Sequence, residues 1–112
     1  METGFGWIKV RGERYEYDIV IHVNGEVSRR EKEKSRVPMG HTPLSEKELD
    51  FLERENPEVV FIGSGQYGLL PVTENARKIL EKYDVKIEPT PEILKDIENE
   101  KRKYVAILHI TC

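Results

Sequence analysis

A single cysteine, Cys112, is the whole thiol content of this 112-residue chain. No internal disulfide and no all-cysteine zinc site can form from it, so the core must hold without either. Long apolar runs are missing as well. Stretches such as Val59–Ile62 are a few residues long, whereas a membrane-crossing helix needs about 20. Excess positive charge is absent: 18 Lys and Arg stand against 21 Asp and Glu, for a formal charge of −3. There is thus no global field to attract a nucleic-acid backbone or an anionic membrane, and neither is expected as a partner. The first ten residues carry two glycines and Glu2 where a secretory leader needs a basic start and a continuous apolar stretch, which predicts a cytoplasmic address.

What the chain does have is a length suited to one domain, 1–112, and charged residues at 35% beside 38% hydrophobic ones. Abundant Glu, Lys and Arg with little Cys and Met is a heat-adapted style of composition. The apolar residues fall in short patterned runs. Trp7–Val10, a polar Arg11-Gly12-Glu13 turn and an alternating stretch from Tyr15 to Val23 read as a β-hairpin. Asn24-Gly25 then favours a tight turn, and Glu26–Arg29 returns as a third strand, so the N-terminal half reads as an antiparallel meander. Eight charges crowd Glu26–Arg36, five positive and three negative. They predict a solvated edge strand and loop, with a phosphate or partner patch as the alternative.

Ser45 with Glu48 three residues on forms a capping-box pattern, flanked by Leu44 and Leu49, and predicts a helix that stops at Asn56-Pro57. Val59–Ile62 has the all-apolar pattern of a strand buried on both faces. Thr73 is placed to cap a helix with Ala76, Ile79, Leu80 and Tyr83 on one face. Val85–Glu88 is the next strand, and Thr90-Pro91 opens a helix facing inward through Ile93, Leu94 and Ile97. Tyr104–Ile110 closes the pattern. The C-terminal half is therefore β-α-β-α-β, an arrangement that winds as parallel strands.

Gly63-Ser64-Gly65-Gln66-Tyr67-Gly68 matches G-x-G-x-x-G after a strand, with Glu88 about 20 residues further on. A dinucleotide site needs a helix beginning at the third glycine, and Leu69–Val72 intervenes here, so this loop is better read as a turn or an anion nest. His109, Thr111 and Cys112 lie at the end of the last strand. Alternation along a strand turns residues three apart to opposite faces, which argues against a His109–Cys112 pair. His22 and His41 have no local partner, so no metal site is expected. No P-loop, Ser/His/Asp order or paired-carboxylate signature stands out, no cofactor is indicated, and an enzyme is the less expected class.

Val59–Gly65, the helix through Ala76 to Leu80, the Val85–Glu88 strand and the ending Asn99–Ala106 resemble a small domain family of unknown biochemical activity. That family includes an adipogenesis-associated domain protein and a mitochondrial complex I assembly factor. The resemblance implies a three-layer α/β domain with a central mixed sheet and a role in interaction or assembly without an established reaction. Together these readings predict an α/β single domain with an N-terminal β-meander and a C-terminal βαβαβ unit. Its expected function is that of a protein-interaction domain. The alternative is a small-molecule or anion binder using Gly63, Ser64, Gly65, Gln66, Tyr67 and Gly68, with Thr111 and Cys112 across a crevice.

Overall fold

A computed structural model describes residues 1–37 and 42–112. Three short strands, β1 (Glu2–Gly4), β2 (Trp7–Val10) and β3 (Glu13–Tyr15), form an antiparallel sheet in that order. Arg11 and Gly12 both take left-handed backbone, with φ of 50° and 82°, and close the β2–β3 turn. A second, five-stranded sheet holds β4 (Ile19–Ile21), β5 (Val27–Arg29), β6 (Val59–Ser64), β7 (Asp84–Glu88) and β8 (Tyr104–His109) in the order β5-β4-β8-β6-β7. β8 pairs parallel with β6 and antiparallel with β4, so the sheet is mixed. Helices α1 (Leu52–Glu55), α2 (Glu74–Leu80) and α3 (Thr90–Asn99) complete the fold, with single 3-10 turns at Lys32–Lys34 and Glu46–Glu48.

Strand alternation sorts the core into two halves. Ile19, Ile21, Phe61, Ala106 and Leu108 project from one face of the large sheet onto Ile93 and Ile97 of α3 and Ile8 and Val10 of the small sheet. Val20, Val60, Ile62, Val105 and Ile107 project from the other face onto Ala76 and Leu80 of α2, Leu52 of α1, and Leu44 and Leu49. The result is three layers around a central mixed sheet. Val59–Ile62 is buried along its whole length, the burial expected of a strand covered on both faces.

Several local expectations are corrected. The Tyr15–Val23 stretch is not one strand: Glu16 and Tyr17 are exposed, Asp18 turns inward, and the break sends β3 to the small sheet and β4 to the large one. An N-terminal strand, β1, is present that the pattern does not predict. The helix expected from Ser45 is a 3-10 turn followed by the one-turn α1. Ser45 Oγ accepts from the Lys47 amide, while the Glu48 carboxylate reaches away to Arg30 and Ser35 instead of closing a capping box. Helix α1 does stop at Asn56, which takes left-handed backbone before Pro57. Thr73 caps α2 through the Ala76 amide as expected. Thr90 does not cap α3; its hydroxyl donates to the His109 carbonyl at 2.6 Å and accepts from the Gly65 amide at 3.0 Å.

Candidate functional site at the carboxyl rim

Because β6 and β8 run parallel, their carboxyl ends open on the same rim, the place where open α/β sheets hold ligands. The antiparallel partners add the start of β4 and the end of β5 to that rim, bringing Asp18 and Arg30 beside His109. Asp18 Oδ2 accepts from His109 Nδ1 at 2.6 Å and from Arg30 Nη1 at 2.9 Å, and lies 3.4 Å from Lys32 Nζ; Asp18 Oδ1 accepts from the Ile110 amide at 3.0 Å. Burial alone would push the Asp18 carboxyl up. The hydrogen bond and charge of His109, the Ile110 amide and the Lys32 ammonium outweigh it and hold the group at about 2.

Glu26–Arg36 is the solvated edge strand and loop expected of it, with β5 at the sheet edge and most of its charges exposed, but Arg30 within it is only 2% exposed. Its fork serves two carboxylates: Nε and Nη2 donate to Glu48 at 2.7 and 3.0 Å, and Nη2 also donates to the Pro43 carbonyl at 2.9 Å. Ser35 donates to the same Glu48 carboxylate and lies 2.7 Å from the Ser45 hydroxyl. Among the described residues no buried side-chain nitrogen or oxygen is left without a partner. The guanidinium is thereby spent internally and is not a phosphate contact.

The glycine loop and the 111–112 segment do meet. The Gln66 amide donates to the Thr111 carbonyl at 2.6 Å, and the Leu69 amide to the Cys112 carbonyl at 2.9 Å. Gly65 is required at this crossing, with φ of 100° and a position where a Cβ would collide with the Cys112 backbone and sit 2.8 Å from the Thr111 oxygen. The Gly65 and Leu70 amides are also taken, by Thr90 and the Ser64 carbonyl. These amides are therefore not free to form an anion nest. The dinucleotide geometry is missing too, since α2 starts at Glu74, six residues beyond Gly68. Ser64 is buried, Gln66 hydrogen-bonds Thr3 through its side chain, and Tyr67 and Gly68 are exposed.

A hollow of about 110 Å³ lies beside the crossing, lined by Lys32, Leu69, Pro71, His109, Thr111 and Cys112 among others. His109 and Cys112 thus share one cavity, because β8 ends at His109 and the strict alternation that would separate them ends with it. Thr111 Oγ1 lies 3.3 Å from His109 Nε2. On the outer lip stand Phe5 in the β1–β2 turn, 57% exposed, and Tyr67, 69% exposed, with ring centroids 6.1 Å apart. Leu69, 58% exposed, projects from the same loop as Tyr67. The Gly6 amide bonds the Ile110 carbonyl at 2.8 Å and pins that turn to the rim.

Asp18 and Arg30 were not legible as site residues. The available signal was an aspartate in an otherwise strand-forming run, since Asp is depleted from strands. Of the three histidines, His109 is in the rim network and His22 contacts Glu55 and Ser28 at the opposite end of the sheet. His41 lies outside the described residues. Among the described residues no three His, Cys, Asp or Glu side chains converge as a metal site, and no helix is long and apolar enough to cross a membrane.

A three-layer domain with a mixed five-stranded sheet, an attached antiparallel sheet and a polar rim network is the class that these features define. Residues 1–109 match the model of the family described as proteins of unknown function DUF498/DUF598, and the chain belongs to that family. It is similar over its full length to the conserved hypothetical protein PH1505 from Pyrococcus horikoshii OT3, at 36% identity, with 98% of that chain covered and a TM-score of 0.91. It is also similar to the solved protein MT938, at 37% identity, covering all of this chain and 96% of that one with a TM-score of 0.85. No protein of curated function matches it.

Proposed function

We propose that this chain is an interaction domain whose contact surface is the lip of the carboxyl rim, receiving an apolar segment of a partner protein. The observation that carries this reading is the pairing of Phe5 with Tyr67, two largely exposed rings on separate segments that are each tied down by backbone hydrogen bonds. Aromatic residues are enriched at protein interfaces, and a loop already ordered loses little entropy when it binds. The net negative charge weighs against an anionic membrane as the occupant. The assembly role implied by the family resemblance is of the same kind.

The test is affinity purification with crosslinking, comparing the wild type with Phe5→Ser/Tyr67→Ser. The exposed positions predict an unchanged melting temperature and loss of the partner. A wild type that recovers no reproducible partner, or a variant that recovers the same one, overturns the reading.

The 110 Å³ hollow favours a second reading, a small-molecule site between the glycine loop and Thr111–Cys112 in which side chains rather than loop amides make the contacts. Ligand binding raises apparent stability by mass action, so a thermal-shift screen of small acids, phosphates and nucleotides separates the two. A hit abolished by Thr111→Val supports this site.

A further inference from the structure

At the end of the large sheet opposite the rim, Ser28, His22 and Glu55 stand in a line. Ser28 lies opposite Val20 in the β4–β5 pair, and His22 is two residues beyond Val20, so the two side chains are diagonal neighbours on one face. His22 Nε2 is 2.7 Å from Ser28 Oγ, and His22 Nδ1 is 2.6 Å from Glu55 Oε2. Glu55 Oε1 accepts from the Val23 amide at 3.0 Å, so both carboxylate oxygens are held by the chain segment that carries the histidine. The Phe51 ring packs edge-on against the imidazole, with ring centroids 5.4 Å apart. In the tautomer whose Nδ1–H donates to the Glu55 carboxylate, Nε2 presents its lone pair to Ser28, which donates its hydroxyl proton.

We propose that Ser28, His22 and Glu55 form a nucleophile, base and positioning residue for hydrolysis of small esters with a short aliphatic acyl group. Both separations fall within the hydrogen-bond reach that such a constellation requires, and such triads are recognised by geometry and not by residue order. A hollow of about 160 Å³ opens beside them, with Val20, Phe51 and Ile107 as its apolar part and charged side chains over the rest of its lining. A space of this size suits a short acyl chain lying against Val20, Phe51 and Ile107. Arg29, Lys34 and Arg54 line the same hollow together with Glu31, Glu48 and Asp50, so its rim carries both signs of charge.

In the first step Ser28 Oγ bonds to the ester carbonyl carbon while its proton passes to His22 Nε2. The tetrahedral oxyanion collapses, the carbon to alkoxy-oxygen bond breaks, and His22 returns the proton to the departing alcohol. A water molecule then gives one proton to His22 and adds its oxygen to the acyl carbon. The acyl bond to Ser28 breaks, the carboxylic acid leaves, and His22 returns the proton to Ser28. The sum is ester plus water to acid plus alcohol. This activity lies outside the rim and does not depend on the interaction reading.

The experiment measures hydrolysis of p-nitrophenyl acetate and butyrate, and labelling by a fluorophosphonate followed by peptide mass spectrometry. Labelling at Ser28 is expected in the wild type, with kcat/KM falling by about 10²-fold or more in Ser28→Ala. Glu55→Gln is expected to lower kcat more than it raises KM, because it disturbs the His22 tautomer while, as a near-isosteric change, it keeps the shape of the hollow that Glu55 helps to line. Ser28 is exposed, so Ser28→Ala keeps its melting temperature, and the comparison is made between folded proteins. Equal rates in the wild type and Ser28→Ala, a wild-type rate no higher than that of free imidazole, or a label elsewhere than Ser28 overturns the assignment.

Discussion

Asp18 and His109, 91 residues apart in sequence, meet at 2.6 Å between carboxylate and Nδ1 at the junction of β4 and β8. The contact bridges the N-terminal half of the chain and its last strand, and it makes stability sensitive to acid. The Asp18 carboxyl is held at about 2 against an ordinary value of 3.8. A depressed carboxyl stabilises the fold above its ordinary value, and that stabilisation is lost as pH falls through the folded value. About 2 kcal/mol is therefore expected to disappear between pH ~4 and ~2. Urea midpoints at pH 5, 3 and 2 measure it, and Asp18→Asn should flatten the low-pH slope. A wild-type slope no steeper than that of the variant refutes the linkage.

Arg30→Met should be among the most damaging single changes. It leaves the Asp18 and Glu48 carboxylates buried without their shared guanidinium, a loss of about 3–5 kcal/mol by the general behaviour of broken buried pairs. The triple variant Asp18→Asn/Arg30→Met/Glu48→Gln should recover a substantial part of that loss. Chemical denaturation of the two proteins decides the matter, and a triple variant less stable than Arg30→Met contradicts it.

Gly65→Ala and Gly12→Ala test backbone strain against collision. Both glycines have positive φ, but a Cβ at Gly12 meets nothing within 4 Å, whereas at Gly65 it strikes the 111–112 backbone. Gly12→Ala is expected to lose about 1 kcal/mol. Gly65→Ala should lose distinctly more and expose the Leu69 and Gln66 amides to hydrogen exchange. Equal losses would mean that the 111–112 segment moves aside freely.

Thr90→Val removes a hydroxyl that joins α3 to the glycine loop and to the end of β8, accepting from the Gly65 amide and donating to the His109 carbonyl. The buried amide left behind predicts a loss of about 1–3 kcal/mol. Thr90→Ser should restore most of it. Thermal melts of the pair are sufficient, and matching stabilities in Val and Ser variants argue against the bridge.

The parts of the fold that were legible in sequence are those set by short-range pattern. Val59–Ile62 has no polar face to expose, Thr73 sits where a cap belongs, and Ile93, Leu94 and Ile97 recur at helical spacing. The errors arise where a distant partner outbids the local pattern. Asp18 breaks an alternating strand because His109, Arg30 and the Ile110 amide are waiting for it, and Glu48 abandons its capping box for Arg30. The charge run at Glu26–Arg36 is solvated as its pattern says, and the burial of Arg30 alone is hidden because nothing near it in sequence supplies the carboxylates that pair with it. The Gly63–Gly68 loop was recognisable as special, and its neighbourhood with Thr111 and Cys112 follows from parallel winding. The fate of its amides depends on the path beyond β8, where strand periodicity no longer guides prediction. Ser28, His22 and Glu55 carry no motif, because the register between β4 and β5 and the position of α1 create their alignment.

The strand order has one more effect, on how the polypeptide acquires its shape. β8 lies between β4 and β6, so the β4–β5 ribbon and the β6–β7 pair cannot be joined until the strand furthest along the sequence is inserted between them. Before that moment each carries an open hydrogen-bonding edge and an uncovered apolar strip. During synthesis on a ribosome, joining of the sheet must wait for residues 104–109, and substitutions at Val105 or Ile107 should slow this late zippering more than comparable changes in α2.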